Sequence, residues 1–235
     1  MIAANKASRV LGVAFLLQAI TSLASGLIMK LALTVPGNIS ESMINIANKP
    51  WLMRTNILGE MITAFGIIFL GAVLFVILRK HNEKIALTAL GLYILEAVLL
   101  VMSRLQAFSL LRISQEYVAT GHHAYLETLG KLALESMDYA YSLLMFPFAV
   151  GAVLFYYLLD KSRIVPRFLS LWGLITTVCP CLIATLFVIF GYKVPFACYL
   201  PYAPFEFVIG VWILVKGIRD DSEAVNHLAA NAKSQ

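Results

Sequence analysis

"LYILEAVLLVMSRLQAF", residues 92–108, carries only two charges, Glu96 and Arg104, in an otherwise mostly apolar run. A stretch of about 20 apolar residues is what a helix needs to cross a bilayer core of about 30 Å. Runs of this kind recur along the whole chain. Of its 235 residues, 60% are hydrophobic and 13% are charged, against about a quarter charged in a soluble domain. No polar stretch is long enough to fold by itself. The sequence therefore predicts one membrane domain, residues 1–219, followed by a short polar tail, residues 220–235.

The apolar runs predict an all-α bundle with six spans: 9–33, 52–78, 85–111, 132–159, 168–191, and a last one ending near Ile218. Lys6, Arg9 and the run that follows resemble a cleavable signal peptide. The run continues to Leu33, so it reads as a retained first helix. The last segment is preceded by Pro195, Pro201 and Pro204, and residues 204–218 give only about 22 Å of helix. Residues 196–203 are therefore expected to enter the membrane as a broken lead-in.

Net charge is +5, but in a membrane protein Lys and Arg report orientation before they report partners. No nucleic-acid partner is expected. With the termini and the loops "RKHNEK" and "DKSRIVPR" on one side, eleven basic residues lie there and six lie opposite. That bias predicts both termini in the cytoplasm. The loop "RISQEYVATGHHAYLETLGK" on the other side has a helical pattern. Three cysteines in apolar settings, Cys179, Cys181 and Cys198, do not read as a disulfide framework.

Topology turns the intramembrane charges into a place. Glu60, Glu135, Asp138, Glu206 and Arg104 all fall in the outer third of the membrane, and Glu96 lies about 12 Å deeper than Arg104. Eight residues along a helix also turn it by about 80°, so Glu96 and Arg104 cannot pair directly. Each such charge at mid-membrane costs about 2.5–3.5 kcal/mol, so all six are expected to face inward. The functional expectation is an outward-opening acidic pocket that binds or moves a small polar or cationic ligand. Glu60, Glu135, Asp138 and Glu206 would meet the ligand, Arg104 would set the pocket's charge, and Glu96 would form its floor. The competing expectation is that these charges only hold the bundle together. Glu206, two residues after Pro204, also suits a helix N-terminus by dipole alone.

Other motifs carry less. Cys179-Pro180-Cys181 could hold a soft metal ion, but Pro180 kinking a helix between two small apolar side chains explains it better. His122, His123, Glu127, Glu135 and Asp138 raise a metal-assisted intramembrane hydrolase as an alternative, with His123 and Glu127 on one helical face. Both histidines precede the expected span, and solvated loop groups fit them better. No phosphate loop, nucleophile elbow or dinucleotide fingerprint is present, so the reading leans away from an enzyme and names no cofactor. Ser22 and Gly26 have the small-x-x-x-small spacing of close helix packing. Trp51, Trp172, Trp212 and several tyrosines fit membrane-interface belts.

The segments "RVLGVAFLL" (9–17), "LYILEAVLL" (92–100), "LLDKSRIVPRFLSLWGLI" (158–175) and "PFEFVIGVWILVKGIR" (204–219) resemble a bacterial six-helix membrane family called domain of unknown function 4386. The resemblance covers nearly the whole chain, with S-R-x-V-P-R and the Pro-Phe-Glu opening of the last helix as its most specific features. It implies a bacterial inner-membrane location and six helices, and it implies no activity. Glu96 and Glu206 match glutamates of the family's recurring segments; Glu60, Glu135 and Asp138 are not matched in this way. Expected partners are the lipid bilayer, a small polar or cationic ligand, and another membrane protein if the chain is instead a structural or regulatory subunit.

Overall fold

The computed structural model describes residues 6–192, 194, 198 and 201–218. The polar tail expected over 220–235 lies outside them, as do Lys193, Pro195, Arg219 and most of the expected lead-in before Ala203. Among the described residues the chain is helical, with one isolated bridge between Val35 and Asn38. Helix α1 (Lys6–Leu27) continues as a π-helical segment, Ile28–Leu33, and is followed by α2 (Ile39–Asn48), α3 (Pro50–Leu78), α4 (Glu83–Ala119) and α5 (Ala124–Ser162). Then α6 (Arg167–Thr176) passes through a second π-helical segment, Thr177–Ile183, into α7 (Ala184–Ile189), and α8 (Ala203–Lys216) closes the bundle.

Five stretches are long and apolar enough to cross a membrane: Ser8–Leu33, Pro50–Leu78, Glu83–Ala119, Ala124–Ser162 and Arg167–Ile189. Their outward faces carry many large apolar side chains. Phe65, Phe69, Met102, Leu105 and Phe146 are exposed on the bundle surface, where water would penalise them and lipid does not. This is a multi-pass membrane protein whose helices contact the bilayer. Helix α8 has 14 residues, about 21 Å at 1.5 Å per residue, and by itself falls short of a bilayer core.

How α8 docks follows from glycines. It runs antiparallel along α1: Ile218 N–H donates to Ser8 Oγ at 3.1 Å, and Gly12 lies so close that a Cβ there would sit 2.8 Å from Leu214 N and 2.9 Å from Gly210 O. Further along, Gly210 abuts Phe15 and Leu16, and the Gln18 side chain reaches Glu206. Only residues without a side chain permit backbones to approach this closely. The close packing expected at Ser22 and Gly26 lies elsewhere, because nothing stands within 4 Å of a Cβ built on Gly26. On the α3 side, Gly59 faces Ser25, Asn56 Nδ2 donates to Ser25 O at 2.7 Å, and Thr63 Oγ1 donates to Thr21 Oγ1 at 2.8 Å.

The two ends of the bundle differ. At one end lie the start of α1, the end of α8, and the turns between α3 and α4 and between α5 and α6; this is the terminal end. At the other, α4 and α5 run well past the expected limits at Leu111 and Leu132 and meet in a tight turn at residues 120–123. Helices of 37 and 39 residues extend for about 55 Å, so this hairpin projects beyond a 30 Å core. Amphipathic α2, capped by Asn38 accepting from Glu41 N–H at 3.0 Å, lies against the hairpin through Met43, Tyr117 and Leu126.

Candidate functional site

Glu96, Arg104 and Glu206 are all buried, at 5%, 7% and 8% exposure. The structure divides the six residues expected to share one pocket into three groups at different depths. Glu135 and Asp138 are exposed on α5 towards the hairpin end, with Lys30 of the first span within electrostatic range of Asp138. Deeper, half-buried Glu60 of α3 and buried Arg104 of α4 attract each other across the bundle. The guanidinium also donates through Nε and Nη2 to Ser103 Oγ at 3.0 and 2.8 Å. Deepest are Glu96 of α4 and Glu206 of α8, whose carboxylates lie within electrostatic range of each other.

Glu206 is the hub of this innermost group. Tyr202 Oη donates to Glu206 Oε1 at 3.0 Å and shares a 2.7 Å hydrogen bond with Tyr156 Oη. Gln18 reaches the same carboxylate from α1, and Tyr93 stands beside Tyr156. Rings fix this network: Tyr93 meets Phe155 edge-on at 5.0 Å, Tyr156 meets Phe205 at 5.0 Å, and Tyr202 meets Phe148 at 5.1 Å. Two acceptors are left over. Glu96 Oε2 and Gln18 Oε1 are buried and, among the described residues, accept no hydrogen bond. Burying an acceptor without a donor costs about 1–3 kcal/mol, so both oxygens are expensive where they stand.

The backbone around this hub is interrupted. Helix α8 begins there, with Glu206 in its first turn. Cys181, within electrostatic range of Glu206, belongs to the π-helical segment Thr177–Ile183. Such bulges recur at functional sites, and broken helices at membrane mid-depth commonly bound binding sites. On α5, Tyr141, 40% exposed, lies within electrostatic range of the Glu60–Arg104 pair and also of Glu96 and Glu206.

Two expectations about metals meet the geometry differently. Cys179 is exposed and Cys181 is buried, so the cysteines of the C-P-C motif point to opposite sides and do not converge on one ion. His122 stacks on Tyr117 at 4.7 Å and His123 on Tyr125 at 5.8 Å in the hairpin turn. Asp138 lies about 22 Å further along α5 from His123. Among the described residues no three His, Cys, Asp or Glu side chains come together as a metal-holding group.

The tyrosines are what the sequence reading assigned elsewhere. Tyr93, Tyr156 and Tyr202 are buried in the bundle, not set in an interface belt. A tyrosine has an apolar body and a polar tip, which suits either place equally. One signal was available: Tyr93 precedes Glu96 by three residues and Tyr202 precedes Glu206 by four, so each shares a helical face with a buried acid.

The model of the family described as Domain of unknown function (DUF4386) matches residues 10–217. No curated protein and no solved structure matches the chain. The chain belongs to that family.

Proposed function

We propose that this member of the DUF4386 family binds, and in doing so senses or moves, a small polar or cationic ligand inside the membrane, with Glu96 and Glu206 as the pair that meets it. One observation carries the reading. Two buried carboxylates on different helices lie within electrostatic range of each other, Glu96 Oε2 and Gln18 Oε1 accept no hydrogen bond among the described residues, and no basic side chain among the described residues acts electrostatically on either acid. A bundle that needed only to hold together would gain more from apolar side chains at these positions. Intramembrane ionisable residues by default mark ligand or ion pathways.

The remaining acids then form an approach. Glu135 and Asp138 stand at the mouth, and Glu60 and Arg104 between them and the floor. Arg104 tempers the negative field so that an entering cation is not trapped half-way. The protein is read as a six-span protein of the bacterial inner membrane with both termini in the cytoplasm and the approach opening outward. Supporting the sixth span is the antiparallel contact of α8 with α1 from Gln18 back to Ser8. Five crossings followed by a return to the starting end make an even number.

Thermal unfolding of the detergent-purified protein with metal salts and polyamines tests this. A ligand at a hundred times its Kd adds about 2.7 kcal/mol to the stability of the state it binds. A rise in Tm is expected in wild type and not in Glu96→Gln or Glu206→Gln. Flat profiles for every compound, with the variants merely shifted, would overturn the binding reading and make the charges architectural.

A further inference from the structure

The hydrogen bonds that hold Glu206 are of a kind that can reverse, whether or not a cation enters the bundle. We propose that Glu206 is a proton-exchange site, and that Tyr202 and Tyr156 form a reversible hydroxyl chain that keeps its carboxyl group hydrogen-bonded in both protonation states.

The chain is continuous and has a direction. Tyr202 Oη stands 3.0 Å from Glu206 Oε1 and 2.7 Å from Tyr156 Oη, and either hydroxyl of the tyrosine pair can be the donor. With Glu206 ionised, Tyr202 donates to the carboxylate, so Tyr156 supplies the proton between the two phenols. A hydroxyl both donates and accepts, and a protonated carboxyl also donates. When Glu206 Oε1 takes a proton, it donates to Tyr202, and Tyr202 turns to donate to Tyr156. One O–H bond forms, at Glu206, and one breaks, in the hydronium ion that supplies the proton and becomes water. Both phenols keep their protons and only rotate them.

The choice of partners points the same way. A buried carboxylate that stays ionised is usually given Arg or Lys, which donate and never accept; Glu60 has Arg104 within range. Glu206 instead has partners able to serve either state. Gln18 is another: its amide nitrogen reaches Glu206, while its Oε1 accepts nothing among the described residues and would accept from the neutral acid once the amide turned over. Among the described residues, the titratable groups that act on Glu206 or are acted on by it are Glu96 and Tyr93 of α4, Tyr141 and Tyr156 of α5, Cys181 of the second π-helical segment, and Tyr202 beside it. None is basic. Intramembrane acids set in such surroundings serve as steps of proton relays.

Packing permits the reversal. Tyr156 is fully buried and meets Phe205 edge-on at 5.0 Å, and Tyr202 meets Phe148 at 5.1 Å. Turning a hydroxyl hydrogen moves neither ring, so the chain can switch inside a tightly packed core.

Infrared difference spectroscopy of the purified full-length protein tests this, between about pH 4 and 10, where carboxylates and phenols ordinarily titrate. Ring-deuterated tyrosine marks the tyrosine bands. A protonated-carboxyl band is expected to appear as pH falls, to be absent from Glu206→Gln, and to share its midpoint with a change in the tyrosine C–O–H bands. Tyr202→Phe is expected to shift the carboxyl band to the higher frequency of an acid without a hydrogen bond and to abolish the tyrosine change. That variant keeps its ring against Phe148, so it assigns the carboxyl band even where Glu206→Gln fails to fold. No Glu206-dependent band in this range, or a band that titrates with the tyrosines unchanged, would overturn the inference. If a metal ion or polyamine still raised Tm in that case, the ligand-binding reading would stand alone. Proton exchange beside flat cation profiles would support this inference and remove that reading.

Discussion

Arg104 is held by Ser103 on its own helix and drawn towards Glu60 on the neighbouring one. Its value is therefore set by what it leaves behind when removed. Arg104→Leu strips Glu60 of its counter-charge while that carboxylate remains half-buried, whereas Arg104→Leu with Glu60→Gln removes both. Thermal and denaturant unfolding are expected to show the double variant more stable than Arg104→Leu alone, with a coupling of roughly 1–3 kcal/mol. Strict additivity would mean that the two residues act independently. At this scale the carboxylates and the guanidinium were legible because a charge stands out against an apolar run. Gln18 and the three tyrosines were not. Their side chains cost little in either lipid interface or core, and only their contacts with Glu206 and with one another give them a role.

Elements were readable where burial continued the apolar pattern and misread where helices left the membrane. The limit expected at Leu111 marks where hydrophobicity stops, yet the helix continues to Ala119 because Gln115, Glu116 and Tyr117 are compatible with helix in water. Helix α2 was missed for a related reason. Its ten residues are too short and mixed to signal a helix, and they hold together by packing Met43 on the hairpin. Close packing between helices also escaped the small-residue pattern, since spacing alone does not say which face meets a partner. Gly12 gives the sharpest check on α8. Gly12→Val would place methyl groups where Leu214 N and Gly210 O now sit, and overpacking of this kind costs about 1–3 kcal/mol. The expected result is a lower Tm together with loss of cation-dependent stabilisation, because Glu206 rides on α8. Gly26→Val, at a position open for a Cβ, is expected to leave both nearly unchanged. Equal effects at the two glycines would show that α8 is not seated through Gly12.

For the molecule as a whole, charge and apolar packing are divided along the bundle axis. Lys30, Glu60, Arg104, Glu135 and Asp138 lie in the half nearer the hairpin, while the opposite half is filled by fully buried Leu11, Leu74, Leu78, Leu158, Leu159 and Ile213. On the proposed reading, a polar approach that ends on this dry plug would admit a ligand from one side only. Which side that is depends on orientation, for which the proposal rests on the basic residues. Arg79, Lys80, Lys84, Lys161, Arg163 and Arg167 flank the two turns of the terminal end, which the proposed orientation, following the positive-inside bias, puts in the cytoplasm. The clasp at Arg167, 3.7 Å from Asp160 Oδ1, and Ser170 Oγ, donating to the same oxygen at 3.0 Å, holds one of these turns closed on itself. Two reporters separate orientation from the number of spans: one fused after the C-terminus, the other inserted at the 120–123 turn. A C-terminal reporter active in the cytoplasm and a turn reporter active outside are expected. Exchange of the two signals would invert the orientation and turn the approach inward. Both signals on one side would mean that α8 does not complete a sixth crossing, leaving Glu206 on a helix that enters the membrane and returns.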